Sequence, residues 1–274
     1  MTKYLILRRI TQLSILFLYM GANIWGWSFL QGSLSFSKLF NLVPLADPFA
    51  TAQMLFAGAV LSADLLIGVL IITLFYGLIG GRAFCSWVCP VNMITDLANY
   101  LRRKLNIDKD GKKYIVSRKF RYWFLATILI VSAFTGIAAF EVISPIGILT
   151  RGVIFGIGFG WAFILAIFLF DLFIVKNGWC GHICPLGATY SLIGSKNLIR
   201  VKHDAEACTN CGECKEVCPE KEVLNPVIHK KSDFIHGIEC TNCGRCIEVC
   251  NDNALKFSLR SYIKGEKKDE KVTN

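Results

Sequence analysis

The sequence predicts an all-α membrane bundle of four transmembrane helices, followed by a small α+β domain rich in cysteine. Three observations lead to this prediction. The chain of 274 residues is 54% apolar, with 20 Phe and a mean hydropathy of +0.48, as is typical of a membrane protein. Its apolar residues form four long stretches. Its 12 cysteines all fall in short motifs, which indicates metal binding or redox chemistry.

Four apolar stretches are long enough to cross a bilayer as helix, which takes about 20 residues. They run from about Ile10 to Leu30, Met54 to Ile79, Tyr122 to Val142 and Val153 to Val175. The first follows Lys3, Arg8 and Arg9 and is long enough to span, without a convincing small-residue cleavage site. We therefore expect it to remain as an uncleaved helix rather than to act as a signal peptide.

The basic residues predict how these helices are oriented. The loops Gln31–Gln53 and Ile143–Gly152 hold only Lys38 and Arg151. The segment Gly80–Arg121 is far more basic, and its cations are Arg82, Arg102, Arg103, Lys104, Lys109, Lys112, Lys113, Arg118, Lys119 and Arg121. By the positive-inside rule we expect that segment and both termini in the cytoplasm. The formal charge of +10 then reflects contact with membrane lipid, and we expect no nucleic-acid partner.

Two cysteine runs lie 32 residues apart near the C-terminus. Each reads Cys-x2-Cys-x2-Cys-x3-Cys, the bacterial two-cluster ferredoxin pattern, in which the fourth cysteine ligates the other 4Fe-4S cluster. The pattern predicts one cluster on three cysteines of the first run with Cys250, and a second on three cysteines of the second run with Cys218. The two predicted ligand sets are Cys208, Cys211, Cys214 and Cys250, and Cys240, Cys243, Cys246 and Cys218.

A zinc site and a disulfide framework are the two alternative uses of these cysteines. A zinc site rarely has three cysteines in such close register with a fourth three residues later. A disulfide framework needs an oxidising compartment, which the predicted cytoplasmic location argues against. Asn251 stands where the first run has Pro219, but neither residue is a ligand, so the predicted ligand sets are unchanged.

The domain boundaries follow from these patterns. We predict a membrane domain over residues 1–196, a ferredoxin domain over 197–262 and a charged tail over 263–274. Within the ferredoxin domain, Ile199–Lys202 and Leu255–Leu259 are expected to form short paired strands that flank the clusters. The tail from Lys264 lacks apolar periodicity and is expected to be disordered.

A second cysteine pattern occurs twice at the predicted inner membrane face. Cys85 and Cys89 precede Pro90, and Cys180 and Cys184 precede Pro185; we call these the first and second Cys-Pro motifs. The motifs lie 95 residues apart, and Asp47-Pro48 and Ser144-Pro145 occupy comparable places upstream, so we predict two parallel halves. Residues four apart share a helix face, so the four thiols could hold a third cluster or another metal, or act as a dithiol relay. They could also be packing cysteines at helix ends.

Several polar side chains are candidates for proton transfer or substrate contact. Asp64 lies deep in the predicted second span, where an ionisable group is usually functional, and we expect it to take a proton or to hydrogen-bond within the bundle. Glu141 and Asp171 fall near helix ends and are expected to be ordinary, as is His182. Asp47 is a possible helix cap and Arg151 a charged flank, although either could face a quinone headgroup.

Four spans, two Cys-Pro motifs and a C-terminal pair of ferredoxin runs resemble the NapH-type family of membrane quinol dehydrogenase subunits. The resemblance covers essentially the whole chain. The wider superfamily includes the membrane ferredoxin of methylamine utilisation, the C-terminal half of NosR and the copper-handling protein CcoG. NosR and CcoG are larger and carry domains that this chain lacks.

The resemblance implies a multi-pass protein of the bacterial inner membrane that oxidises quinol. Electrons would pass through the clusters to a NapG-like periplasmic ferredoxin-type subunit and on to nitrate reductase, with Asp64 or a loop residue accepting a proton. Three alternatives stay open. The protein could serve methylamine dehydrogenase maturation, reduce metals during the assembly of another enzyme, or anchor a periplasmic ferredoxin at the membrane.

Overall fold

A computed structural model describes residues 3–105, 107, 117–156, 158, 160–228, 233–235 and 237–260. The predicted tail and three of the basic residues, Lys109, Lys112 and Lys113, lie outside them. The described residues form two compact units, and each is described by itself. The first unit draws on Met1–Arg8, Phe75–Ser86 and Tyr190–Asn274, and the second on Arg9–Leu74 and Trp87–Thr189.

Short helices dominate the described chain. The α-helices are Lys3–Trp25, Pro48–Phe56, Ala63–Ile79, Ala83–Trp87, Val91–Lys104, Phe120–Thr135, Ala139–Ile143, Pro145–Phe155, Gly160–Leu169, Pro185–Ile193, Glu213–Val217, Asn225–Ile228 and Arg245–Glu248. Two π-helical turns are Phe170–Ile174 and Trp179–Ile183, and two 3₁₀ turns are Gly194–Lys196 and Lys221–Leu224. The strands are Leu30–Gly32, Phe36–Leu39, Val43–Ala46, Ile199–His203 and Leu255–Leu259.

The predicted bundle of four membrane spans is wrong. Within the described residues, one helix, Lys3–Trp25, is long and apolar enough to cross a membrane by length and composition. The other three predicted spans contain shorter apolar helices of 10–17 residues, namely Ala63–Ile79, Phe120–Thr135 and Gly160–Ile174. Each is shorter than the roughly 20 residues that a span takes.

Glycines explain why these three apolar stretches do not form long helices. Gly58, Gly136 and Gly156 have φ values of 78°, 69° and 90°, which are left-handed conformations that interrupt or end a helix. Gly136 is the residue at which helix Phe120–Thr135 ends. Apolar composition does not reveal such breaks, so the hydropathy pattern overestimated the length of each helix.

The basic residues that predicted the orientation are partly buried. Arg102 donates hydrogen bonds from Nη1 to the carbonyl oxygens of Asp171 and Leu172, at 3.2 and 3.1 Å. Arg82 and Arg121 are 2% and 0% exposed. These guanidinium groups donate hydrogen bonds to carbonyl and carboxylate oxygens inside the protein. The charge count over Gly80–Arg121 therefore overstates the basic surface of that segment.

The segment between the first two predicted spans forms a small sheet that the sequence did not predict. Leu30–Gly32, Phe36–Leu39 and Val43–Ala46 pair as consecutive antiparallel strands, with Phe36 opposite Ala46. Asp47 then caps helix Pro48–Phe56, and its Oδ2 accepts a hydrogen bond from Ala50 N at 2.8 Å. The suggestion that Asp47 is a helix cap is thereby confirmed.

The two chain halves repeat this cap. Ser144 Oγ accepts a hydrogen bond from Gly147 N at 3.4 Å, as Asp47 does at the corresponding place. Both caps are followed by proline at the first helical position, where its missing N–H has no helical partner to lose. The predicted correspondence between Asp47-Pro48 and Ser144-Pro145 is a repeated helix start.

In the first unit, the predicted pair of flanking strands is confirmed. Ile199–His203 and Leu255–Leu259 pair antiparallel, with Val201 opposite Phe257. Buried Val201, Leu255 and neighbouring apolar residues form a core that also contains cysteines of both runs. This two-stranded antiparallel sheet therefore packs against the cysteine-rich loops.

A close backbone approach fixes another part of this unit. A methyl group added at Gly81 would come within 2.6 Å of the Cα atom of Gly194, and the reverse addition is as crowded. Gly81 also has a φ of 45°. The chain segment after helix Ala63–Ile79 can reach residue 194 only because both positions lack a side chain.

We predict that Gly194→Ala destabilises the protein by about 1–3 kcal/mol, the usual cost of overpacking. The midpoint of thermal unfolding, followed by circular dichroism in detergent, should fall by roughly 2–4 °C per kcal/mol. Gly77→Ala is the matched control, because a methyl group there meets Ile193 at an ordinary 3.6 Å. Equal midpoints for the two variants would contradict the close approach.

Candidate metal centres

The first hollow is lined by four cysteines drawn from both runs. Cys208, Cys211 and Cys214 come from the first run and Cys250 from the second. Asn210 and Gly212 have φ values of 58° and 82°, so the loop turns sharply between its cysteines. Gly212 then begins helix Glu213–Val217, which carries Cys214. The local backbone thus directs three thiols to one side.

The second hollow repeats this geometry with the runs exchanged. Its cysteines are Cys240, Cys243 and Cys246 from the second run and Cys218 from the first. Asn242 and Gly244 take φ values of 48° and 76°, as their counterparts in the first run do. The four cysteines in each hollow are those of the predicted ligand sets. That the hollows hold 4Fe-4S clusters remains a prediction.

The side-chain amides of the two loops have matching roles. Cys208 Sγ lies 3.8 Å from Asn210 Oδ1, and Cys240 Sγ lies 3.5 Å from Asn242 Oδ1. Both loops share the sequence Cys-Thr-Asn-Cys-Gly. The cysteine spacing alone does not point to these asparagines, whereas the repeated pentapeptide does.

The two hollows differ in exposure. Cys211 in the first hollow is exposed, and its three companions are half-buried. In the second hollow Cys218, Cys243 and Cys246 are buried. An acceptor that approaches from solvent can therefore come closer to the first hollow than to the second.

Burial raises the pKa of several of these thiols. Burial, and then the neighbouring cysteines, raise the pKa of Cys218 and Cys246. For Cys240, burial raises the pKa more than the Asn242 peptide and the guanidinium groups of Arg200 and Arg82 lower it. Thiolate ligands must lose their protons, so iron binding at the second hollow has to release protons from buried thiols. The donor set of four thiols fits an iron–sulfur cluster.

A site for a single metal ion is a different arrangement from a cluster site. Among the residues that the structure describes, no group of three or more His, Cys, Asp or Glu side chains is placed to hold one metal ion.

The two Cys-Pro motifs are built alike. Cys85 lies in the short helix Ala83–Trp87, and Cys180 lies in the π-helical turn Trp179–Ile183. The second cysteine of each motif, Cys89 or Cys184, follows that turn and directly precedes a proline. The expectation that each pair shares one face of a continuous helix is therefore wrong. Each motif is a helical turn, a cysteine outside it and the start of the next helix.

Hydrogen bonds fix the motif cysteines of the second unit. Gln12, on helix Lys3–Trp25, donates from Nε2 to the carbonyl of buried Cys89 at 3.1 Å. Cys180 Sγ lies 3.9 Å from Thr95 Oγ1, on the helix that follows the first motif. Cys85 belongs to the first unit, whereas Cys89, Cys180 and Cys184 belong to the second. A shared site for all four cysteines remains a prediction.

The structure changes the interpretation of two acidic residues, Asp64, which was expected to be functional, and Asp171, which was expected to be ordinary. Asp64 is the second residue of helix Ala63–Ile79, and its side chain is 57% exposed and pairs with Lys38 Nζ at 2.9 Å. It does not lie deep within a helix, because the predicted second span is broken before it. Asp171 is buried, and its Oδ1 accepts a hydrogen bond from Trp179 N at 2.9 Å, which anchors the second Cys-Pro motif.

Comparison with known families supports iron–sulfur chemistry along most of the chain. Residues 61–108 and 155–202 each match the "4Fe-4S binding domain" family, and residues 200–251 match the "4Fe-4S dicluster domain" family. The double match agrees with the internal repeat. No solved structure matches the chain significantly.

The chain is similar to the ferredoxin-type proteins NapH and MauN. The ferredoxin-type protein NapH of Haemophilus influenzae is 46% identical over 84% of this chain and 80% of its own length. NapH of Escherichia coli is 44% identical over the same shares. The methylamine utilization ferredoxin-type protein MauN of Methylorubrum extorquens is 43% identical over 82% of this chain and 78% of its own.

We predict crossed effects from two cysteine variants. Cys250→Ser should damage the cluster at the first hollow and Cys218→Ser the cluster at the second, because each residue lines the hollow of the other run. Paramagnetic resonance of the reduced protein separates the two signals. Crossed ligation would be wrong if each variant affected only the cluster of its own run.

We also predict the iron content. Two clusters give about eight iron and eight sulfide per chain, and a third at the Cys-Pro motifs gives about twelve of each. Chemical analysis of anaerobically purified protein measures both. If the count is near twelve, Cys180→Ser should reduce it to about eight, whereas a count near eight that this variant leaves unchanged excludes a third cluster.

Proposed function

The chain belongs to the NapH and MauN family of ferredoxin-type proteins, and on that premise we propose that it oxidises quinol in the bacterial inner membrane. It is an iron–sulfur electron-transfer protein with 4Fe-4S binding domains. We propose further that the electrons go to a NapG-like periplasmic ferredoxin-type subunit and then to nitrate reductase. The observation that supports electron transfer by this chain is the pair of hollows, each lined by cysteines of both runs.

The hollows suit a donor that releases two electrons. Oxidation of a quinol to a quinone releases two electrons and two protons. Bound 4Fe-4S clusters supply one-electron transfer. The residues of the chain would hold two such centres side by side, one exposed and one buried, and set their potentials through burial and charge. Two adjacent one-electron centres can accept both electrons of one quinol.

Membrane attachment is proposed through helix Lys3–Trp25. Tyr4 N, at its start, donates a hydrogen bond to Glu248 Oε1 at 2.5 Å, and the Tyr4 ring packs edge-on against Phe257. The beginning of this helix is thus fixed to the unit that holds both hollows. With Lys3, Arg8 and Arg9 near its start, we propose that this end and the clusters are cytoplasmic.

An apolar cavity in the second unit supports quinol as the substrate. Its volume is about 410 Å³, within the range of roughly 300–1,000 Å³ for small-molecule sites. Ile148, Val153 and Ile164 contribute apolar lining, and Trp161 and Arg151 add an indole ring and a charge. A quinol ring could pack against the apolar wall while Arg151 donates to its oxygen.

Electrons from a cytoplasmic cluster need a relay to reach a periplasmic partner. We propose the two Cys-Pro motifs for this role, with Cys85 in the unit of the hollows and Cys180 in the other. A role in methylamine utilization is the alternative, because the identity of this chain to MauN, 43%, is close to its 46% identity to NapH. In that case the same electron path would serve a different final acceptor.

We predict that a menaquinol analogue reduces the clusters of the anaerobic, fully loaded protein in detergent. The reduced clusters are counted by paramagnetic resonance, with dithionite as the reference for full reduction. The oxidised quinone serves as the control and should leave the clusters unchanged. Clusters that dithionite reduces but the quinol analogue does not would contradict quinol oxidation and favour the anchoring role.

We further propose that Asp64 accepts the quinol proton, so that Asp64→Asn slows this reduction. General base catalysis typically contributes about 10²–10⁴-fold, and a loss in that range is expected. Lys38→Met is the matched control, since it breaks the same ion pair but keeps the carboxylate. Equal slowing by both variants would assign Asp64 to the ion pair alone.

A further inference from the structure

The start of the first Cys-Pro motif packs against the loop of the second hollow. Ser86 Oγ donates a hydrogen bond to the carbonyl of Thr241 at 2.7 Å, directly after Cys240. A methyl group added at Gly80 would lie 3.1 Å from Asn242 Nδ2. All these residues belong to the first unit. The segment Gly80–Ser86 is therefore part of the surroundings of the second hollow.

Arg82 is the centre of this contact. Its Nη1 lies 3.0 Å from Glu220 Oε1, 3.1 Å from Glu239 Oε2 and 2.9 Å from the Glu239 carbonyl. The side chains of Arg82 and Glu220 are only 2% and 3% exposed, and that of Glu239 is 17% exposed. Arg82 also donates a hydrogen bond to the Cys85 side chain. One guanidinium group thus joins a motif cysteine to two carboxylates beside the second hollow.

The carboxylates lie next to predicted ligands. Glu220 follows Cys218 by two residues, and Glu239 directly precedes Cys240. Burying three charged groups has a high desolvation cost, which close pairing must offset. The first hollow has a different environment, because its acidic neighbours Glu213 and Glu216 are exposed and Asp252, which lines it, is only half-buried. Water and salt screen exposed charges, whereas buried charges are screened much less.

A reduction adds one negative charge to a cluster, so nearby fixed charges change its potential. A buried carboxylate disfavours the reduced form and a buried guanidinium group favours it. In the second hollow these charges are buried and held in one arrangement. In the first hollow solvent weakens the same effect. The two centres can therefore have potentials that are set independently.

We propose that Arg82, Glu220 and Glu239 form a buried charge set that fixes the reduction potential of the cluster at the second hollow independently of the first. Arg82 is a positioning residue, since it also holds Cys85 of the first Cys-Pro motif against this set. The second hollow is then the centre that exchanges electrons with the motif, and the exposed first hollow is the centre that meets a soluble partner. The inference rests on the predicted cluster ligands and not on quinol as the donor.

The test is a potentiometric titration of the fully loaded protein, with each cluster followed by paramagnetic resonance. Glu220→Gln removes one buried negative charge and should favour reduction at the second hollow at least tenfold, a rise of about 59 mV for one electron. The potential at the first hollow should not move. Glu216→Gln is the matched control: Glu216 is also two residues from Cys218, but its side chain is 74% exposed. It should move neither potential by a comparable amount.

Two further variants guard against misfolding. Glu239→Gln removes the half-buried carboxylate and should raise the same potential, even if Glu220→Gln fails to fold. Arg82→Lys keeps the positive charge and should leave the potential nearer that of the unchanged protein than either glutamine variant does. Signals are assigned to the hollows with Cys218→Ser and Cys250→Ser.

The outcomes separate this inference from quinol oxidation, because the titration uses a chemical reductant. A rise confined to the second hollow supports the inference, even if quinol fails to reduce the protein. No rise, or an equal rise at both hollows, would overturn it. Loss of iron from the second hollow in both glutamine variants, with full iron in Glu216→Gln, would also overturn it, because the charges would then serve only to hold the loop.

Discussion

The requirement that four thiols converge on one centre determines how the first unit is built. Each hollow takes its fourth cysteine from the other run, so neither run lines a hollow alone. The chain must therefore fold back so that the two runs lie together. The antiparallel pairing of Ile199–His203 with Leu255–Leu259 brings the two ends of this region side by side. Left-handed residues such as Asn210 and Gly212 make the loops tight enough to point their cysteines inward.

Within the first unit, the second hollow lies against the segment that follows helix Ala63–Ile79. The segment that follows helix Ala63–Ile79 reaches residue 194 through the close approach at Gly81 and places Arg82 between Glu220 and Glu239. Burial of this ion set is tolerated because the guanidinium group pairs with both carboxylates. The same packing places Cys85, the first cysteine of the first Cys-Pro motif, in the surroundings of the more buried of the two hollows.

The spacing of the cysteines was sufficient to predict which four line each hollow, because ferredoxin loops impose a local rule on neighbouring residues. It was not sufficient for helix length. Apolar runs look continuous in sequence, whereas the positive φ values at Gly58 and Gly156 interrupt the helices. The charge count could not reveal burial either, since Arg82 and Arg121 are buried by partners far away in the chain. Long-range pairing of this kind leaves no periodic pattern in a sequence.

The central claim is that eight cysteines of the first unit hold two 4Fe-4S clusters. Spin quantification of the fully reduced protein by paramagnetic resonance tests it most directly. The account predicts about two spins per chain, one for each one-electron cluster. A total of about one spin per chain at full iron loading would contradict it, because one of the hollows would then hold no redox-active centre.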